Sequence, residues 1–202
     1  EQMKQDTLIA GVGGQGTVLA SRILAQTAID HGLFARTAET IGMAQRGGCV
    51  VSHVRIGDDL ASPLVPLGAA DLLLAFEPYE AVRNLRYLRP GGAAIVAAKA
   101  IRPVTASLAA DNDLPGMFRF LAAHSARLIL ADGDRLCREA GNFKALNVIM
   151  LGIAISEGCF DFSGDSILAT IRHNLPEKLW AVNGEALRIG LDYTKHGGRI
   201  HI

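Results

Sequence analysis

The run Gly11-Val12-Gly13-Gly14-Gln15-Gly16 constrains this chain more than any other stretch, because it falls directly between a strand pattern and a helix pattern. Thr7 to Val12 is a short apolar run. Gln15 to Gly32 carries Leu19, Ala20, Ile23, Leu24, Ala28 and Ile29 at the spacing of one helix face. Gly32 supplies the stop, and Phe34 to Thr40 reads as a second strand. Strand, tight turn, helix and strand form a βαβ unit, which crosses over right-handed and builds parallel sheets with helices on their faces.

The remaining pattern extends that start. Val50 to Ile56 alternates as a strand, and the short connection before it makes an antiparallel neighbour, so a mixed sheet is expected. Asp71 to Phe76, Ala93 to Ala97 and Arg127 to Ala131 are compact apolar runs of the kind buried on both faces. Helices are expected at Glu77 to Leu88, closed by an Arg89-Pro90-Gly91-Gly92 turn, and at Leu114 to His124. From Asp132 the strand pattern stops, and helices are read at Asp134 to Ala140, Ala145 to Glu157, Gly164 to Asn174 and Glu177 to Lys195. The expected fold is therefore α/β: a three-layer α/β/α arrangement with a mostly parallel, mixed sheet, a Rossmann-like start and a helical C-terminal part. Residues 1–202 read as one domain, with the sheet core over about residues 7–131 and the helical region beyond it.

Half of the 202 residues are hydrophobic and a fifth charged, which excludes a disordered chain. Twenty basic residues balance twenty acidic ones, which removes the cationic surplus that nucleic-acid binding uses. The three cysteines, Cys49, Cys137 and Cys159, are too few and too scattered for a four-thiolate cluster, so no metal site is expected. Such a sparse, odd set, with no charged-then-apolar leader and no apolar run longer than the glycine-broken Val148 to Ile155, points to the cytoplasm rather than to a membrane.

Glycines at Gly11, Gly13, Gly14 and Gly16, with Gln15 among them, let a ligand approach backbone amides at a helix N-terminus, where a phosphate is stabilised; alternatively they only allow the strand and helix to pack closely. Glu39, about twenty residues on, stands where a dinucleotide fold places a ribose-binding carboxylate. A second glycine-rich stretch, Gly42 to Gly48, offers Gln45, Arg46, Gly47 and Gly48, an arginine fork beside a sharp turn, as a further anion site or as a solvated surface turn. His53 and Arg55 share a strand face and read as an edge or interface, while Glu77 and Lys99, just after strands, read as a helix cap or a surface charge rather than as site members.

Taken together, the Gly11–Gly16 turn with its alanine-rich helix, Glu39, the run from Gly42 to Arg55 and Lys144-Ala145-Leu146-Asn147 resemble the gamma subunit or domain of 2-oxoacid:ferredoxin oxidoreductases, the indolepyruvate branch in particular. The resemblance implies a non-autonomous subunit of an enzyme that oxidatively decarboxylates an aryl-pyruvate to an acyl-coenzyme A, with ferredoxin as acceptor. It also implies that thiamine diphosphate, magnesium and [4Fe-4S] clusters lie on a larger partner subunit, that the complex is oligomeric, and that the glycine turn here is a place for coenzyme A or a nucleotide. It assigns no catalytic residue to this chain. The competing readings are a freestanding NAD(P)-binding oxidoreductase built on the glycine turn and Glu39, and a nucleotide-binding scaffold.

Overall fold

The computed structural model describes residues 4–41, 48–58, 60–101 and 113–193. Six strands form one sheet: β1 (Gln5–Val12), β2 (Ala35–Ile41), β3 (Cys49–Ile56), β4 (Ala70–Ala75), β5 (Leu88–Ala97) and β6 (Arg127–Ala131). Their spatial order is β2-β3-β1-β4-β5-β6, and β3 alone runs against the rest. Helices α1 (Thr17–Asp30), α4 (Gly133–Glu139), α5 (Leu146–Ser156), α6 (Gly164–Asn174) and α7 (Trp180–Asp192) contribute to the core on one face, and α2 (Pro78–Asn84) and α3 (Leu114–His124) to the core on the other. This is the expected three-layer α/β/α fold with a mixed, mostly parallel sheet.

The central strands are apolar throughout because both faces are covered. Ile9, Leu72, Leu74, Ile95 and Ile129 point into the larger core, while Leu8, Leu73, Val96 and Leu130 point into the smaller one. Helix α5 is buried all round, from Asn147 to Ala154, which explains a sequence without an amphipathic stripe. It meets α7 backbone to backbone: a Cβ added at Gly190 would lie 2.2 Å from the Ile149 carbonyl, and one at Gly152 2.7 Å from that of Leu187. No helix among the described residues is long and apolar enough to cross a membrane.

Three local expectations need correction. β1 and β2 run parallel through α1, as a crossover unit should, but β3 lies between them. His53 and Arg55 are consequently on an internal strand and not at an edge. His53 is buried, its Nδ1 accepting the Val65 amide at 3.1 Å, and Arg55 grips the buried Asp6 carboxylate at 2.7 and 3.1 Å. Arg89 to Gly92 do not form a turn after a long helix. The helix stops at Asn84, a single 3₁₀ turn follows, and Leu88 already pairs with Ala70, so residues 89–92 are an irregular bulge of β5 opposite Asp71. The last helix likewise begins at Trp180, behind a 3₁₀ turn at Glu177–Leu179; its expected end at Lys195 lies outside the described residues.

Candidate functional site

β1 and β4 are parallel neighbours whose chains leave in opposite directions, β1 into α1 on one face and β4 into α2 on the other. A crevice opens beyond the carboxyl ends of strands at such a switch point, and ligands of open α/β sheets bind there. Here it is a cleft of about 250 Å³, floored by Gly14 and Gln15 after β1, Phe76 after β4, Ala97 at the end of β5 and Gly133 at the start of α4.

The glycine turn is held from three sides. Gln15 spends both ends of its side chain on the protein: Oε1 accepts the Val12 amide at 2.8 Å, and Nε2 donates to the Phe76 carbonyl at 2.9 Å, tying the ends of β1 and β4 together. The Gly13 amide donates to the Gly48 carbonyl at 2.9 Å, so the described end of the second glycine stretch lies against the first. Gly16 caps α1 in the left-handed region (φ 80°), and its carbonyl accepts from the Ala20 amide at 3.0 Å and from Nδ2 of the buried Asn147 at 3.3 Å. A side chain at Gly16 would be strained by that φ and would meet Asn147, its Cβ 2.6 Å from Nδ2. Gly14, also left-handed (φ 95°), faces open space instead.

Three of the turn's amides, those of Val12, Gly13 and Gln15, are therefore consumed within the protein. The Gly14 and Gly16 amides donate to no group among the described residues, and α1 has no side-chain cap. An uncapped helix start retains the positive end of its dipole and unpaired N–H groups, which suit an anion. Lys99 and Lys144 reach the same cleft. Lys99 pairs with Asp134 at 2.7 Å, whereas Lys144 has no carboxylate within ion-pair distance among the described residues. Cys137 lines the cleft too; burial, with Asp134 adding to it, pushes its thiol above the ordinary range and so favours the protonated form.

The other expected site residues separate. Glu39 is exposed on edge strand β2, opposite Ser52, which in turn faces Ile9 of β1. Two strand spacings, about 10 Å, lie between Glu39 and β1, where a dinucleotide fold has its acidic residue on the adjacent strand. Gln45, Arg46 and Gly47 lie outside the described residues. Glu77 is the cap of α2: Oε2 accepts the Glu80 amide at 2.9 Å and Oε1 the Ile101 amide at 3.2 Å, while burial raises its carboxyl above the usual range. Asn147 and Lys144 were carried in sequence only by the Lys-x-x-Asn resemblance, and Asn147 is 131 residues from the glycine it holds.

A fold with this switch point and cleft defines the class of open α/β proteins whose ligand crevice lies at the carboxyl end of the sheet, and the comparisons with known proteins narrow the class. The family of pyruvate ferredoxin/flavodoxin oxidoreductases matches residues 6–193, and the chain belongs to it. Its relatives include the indolepyruvate oxidoreductase subunit IorB of Pyrococcus horikoshii, 36% identical over 93% of this chain and 95% of that one, and that of Thermococcus kodakarensis, 37% identical with the same coverages. Among solved structures, the gamma subunit of a keto/oxoacid ferredoxin oxidoreductase from Geobacter sulfurreducens shares the fold with a TM-score of 0.69 at 21% identity, over 95% of this chain and 99% of that one. The 2-oxoglutarate:ferredoxin oxidoreductase of Magnetococcus marinus, solved with 2-oxoglutarate, coenzyme A and succinyl-CoA bound, shares it with a TM-score of 0.72 at 19% identity, over 97% of this chain and 32% of that one.

Proposed function

We propose that this chain is the small, non-autonomous subunit of a cytoplasmic 2-oxoacid:ferredoxin oxidoreductase that acts on indolepyruvate or another aryl-pyruvate. It works as one gamma-type domain bound to a larger subunit in an oligomeric complex. The reaction consumes a 2-oxoacid, coenzyme A and two oxidised ferredoxins and releases an acyl-coenzyme A, carbon dioxide, a proton and two reduced ferredoxins. Thiamine diphosphate, with its magnesium on the partner, supplies the carbon nucleophile for the keto group, and [4Fe-4S] clusters there carry the electrons.

The residues of this chain fit that division of labour. Cys49 pairs with Val12 at the carboxyl end of β1, Cys137 lies in the cleft floor, and the Cys159 carbonyl accepts from Gln5 at the opposite end of the same strand. With Cys159 at the far end of β1 from Cys49, the three thiols do not converge on one cluster. The observation that carries the ligand reading is the cleft itself, where Gly14 and Lys144 line a space with no carboxylate set against that lysine among the described residues. These groups hold the phosphates of coenzyme A, or of a nucleotide, and Gln15 and Asn147 hold the turn that presents the amides.

Reconstitution tests the reading. The partner subunit, assayed anaerobically for thiamine-dependent dye reduction with indolepyruvate and coenzyme A, should turn over only when this chain is added, and Lys144→Ala should raise the KM for coenzyme A about tenfold with little change in kcat. Equal rates with and without the chain would overturn the subunit assignment. Micromolar binding of NADH to the chain alone would favour the freestanding dehydrogenase instead.

A further inference from the structure

Phosphate binding at the glycine turn leaves one prominent side chain without a role. Phe143 is 74% exposed, more than any other large apolar side chain among the described residues, and it stands on the cleft beside Lys144. A single exposed apolar residue is ordinary on a protein surface, so exposure alone carries nothing. The surroundings of Phe143 are not ordinary. Behind it, the Gly141 and Asn142 amides bond back to the Arg138 and Cys137 carbonyls at 3.0 and 3.1 Å. Ahead of it, Asn142 Oδ1 accepts the Lys144 amide at 2.8 Å and the Asn142 carbonyl accepts that of Ala145 at 3.1 Å. The backbone is thus pinned on both sides of the ring. An apolar ring presented to solvent by so fixed a connection, with Ile101 also 39% exposed on the same cleft, is a prepared contact.

The size of the cleft limits the ligand. About 250 Å³ is below the roughly 300–1,000 Å³ of sites that enclose a whole small molecule, so this cleft takes one end of a longer ligand. That end must be anionic where it meets the Gly14 amide and Lys144, and flat and apolar where it meets Phe143. We propose that Phe143 is the platform on which the aromatic base of a nucleoside diphosphate end packs, while the Gly14 amide and Lys144 on the same cleft take its diphosphate. The chain then grips the nucleotide end of coenzyme A and leaves the thiol end to the partner subunit. This inference rests on the anion-site reading above and adds to it a specificity for the base.

The assembled complex provides the test, with coenzyme A as substrate and ADP and pantetheine as competing probes. Phe143→Ala should raise the KM for coenzyme A and the inhibition constant of ADP about tenfold, the scale of one base–aromatic stack, and leave that of pantetheine unchanged. Phe143→Trp should restore both. If Phe143→Ala changes neither value while Lys144→Ala raises both, the platform is wrong and the anion site stands. If neither substitution changes them, the anion-site reading itself fails. Equal weakening of ADP and pantetheine, or dissociation of Phe143→Ala from the complex on gel filtration with unaltered coenzyme A affinity, would also overturn the platform, the latter making Phe143 a subunit contact.

Discussion

The two ends of the sheet use their charges in opposite ways. At the amino end of β1, Arg55 clasps Asp6 through two nitrogens, the Asp6 amide donates to Asp71 at 2.8 Å, and Asp71 accepts from Arg89 at 2.7 Å, so each charge is answered by a neighbour. At the carboxyl end, Lys144 and two turn amides are unanswered among the described residues, and the neutralised lysine there, Lys99, is one of two. A closed network holds strands together, and an open set of donors of one sign is suited to a ligand of the other. Stability should therefore reside at one end and ligand affinity at the other.

The comparison breaks if substitutions at the first end alter binding. Asp6→Ala should have the largest effect, because it strands Arg55, whose side chain is only 12% exposed, without its carboxylate. Removing one member of so buried a pair costs about 3–5 kcal/mol. Thermal unfolding should show a large fall in Tm, while the KM for coenzyme A of the surviving complex stays constant.

A smaller effect is expected between the two ends, at His53, whose protonation burial disfavours and whose pKa is therefore lowered. The unfolded chain then binds a proton more readily than the folded one, so stability is full above the ordinary imidazole value of about 6.5 and declines as the pH falls through it. Unfolding midpoints from pH 8 to pH 5 should fall more steeply for the natural protein than for His53→Gln; parallel curves would remove His53 from the account. Arg89→Ala should be the mildest. Its pair with Asp71 is 45% and 29% exposed, and such surface pairs contribute less than about 1 kcal/mol, lessening further in salt.

Much of this molecule is legible in its sequence. α3, α6 and β6 lie where apolar spacing places them, because each is a local pattern ended by a local signal: Asp113 and Ser163 cap the two helices through their side chains, and Ala126 separates α3 and its cap from β6. What pairs with what is less visible. Nothing in Val50 to Ile56 announces that it inserts between β1 and β2, since strand order is decided by burial over the whole sheet. The segment from Arg89 to Gly92 has the composition of a turn, yet it is a bulge within a strand, because Leu88 before it pairs with Ala70 and Ala93 after it pairs with Leu72. The candidate site divides the same way. Its glycines are evident from their place between strand and helix. Gln15 has a positioning role that depends on a carbonyl 61 residues away, and Lys144 and Phe143 join the cleft only because the connection between α4 and α5 passes there.

The pair of hydrogen bonds made by the Gln15 side chain has a kinetic corollary. A loop already stapled to the next strand has little slack to lose when an anion docks, so recognition should be fast and nearly rigid, with weakened variants showing shorter residence times instead of slower capture. Cutting either half of that staple would turn a preset socket into one that each arriving molecule must first mould.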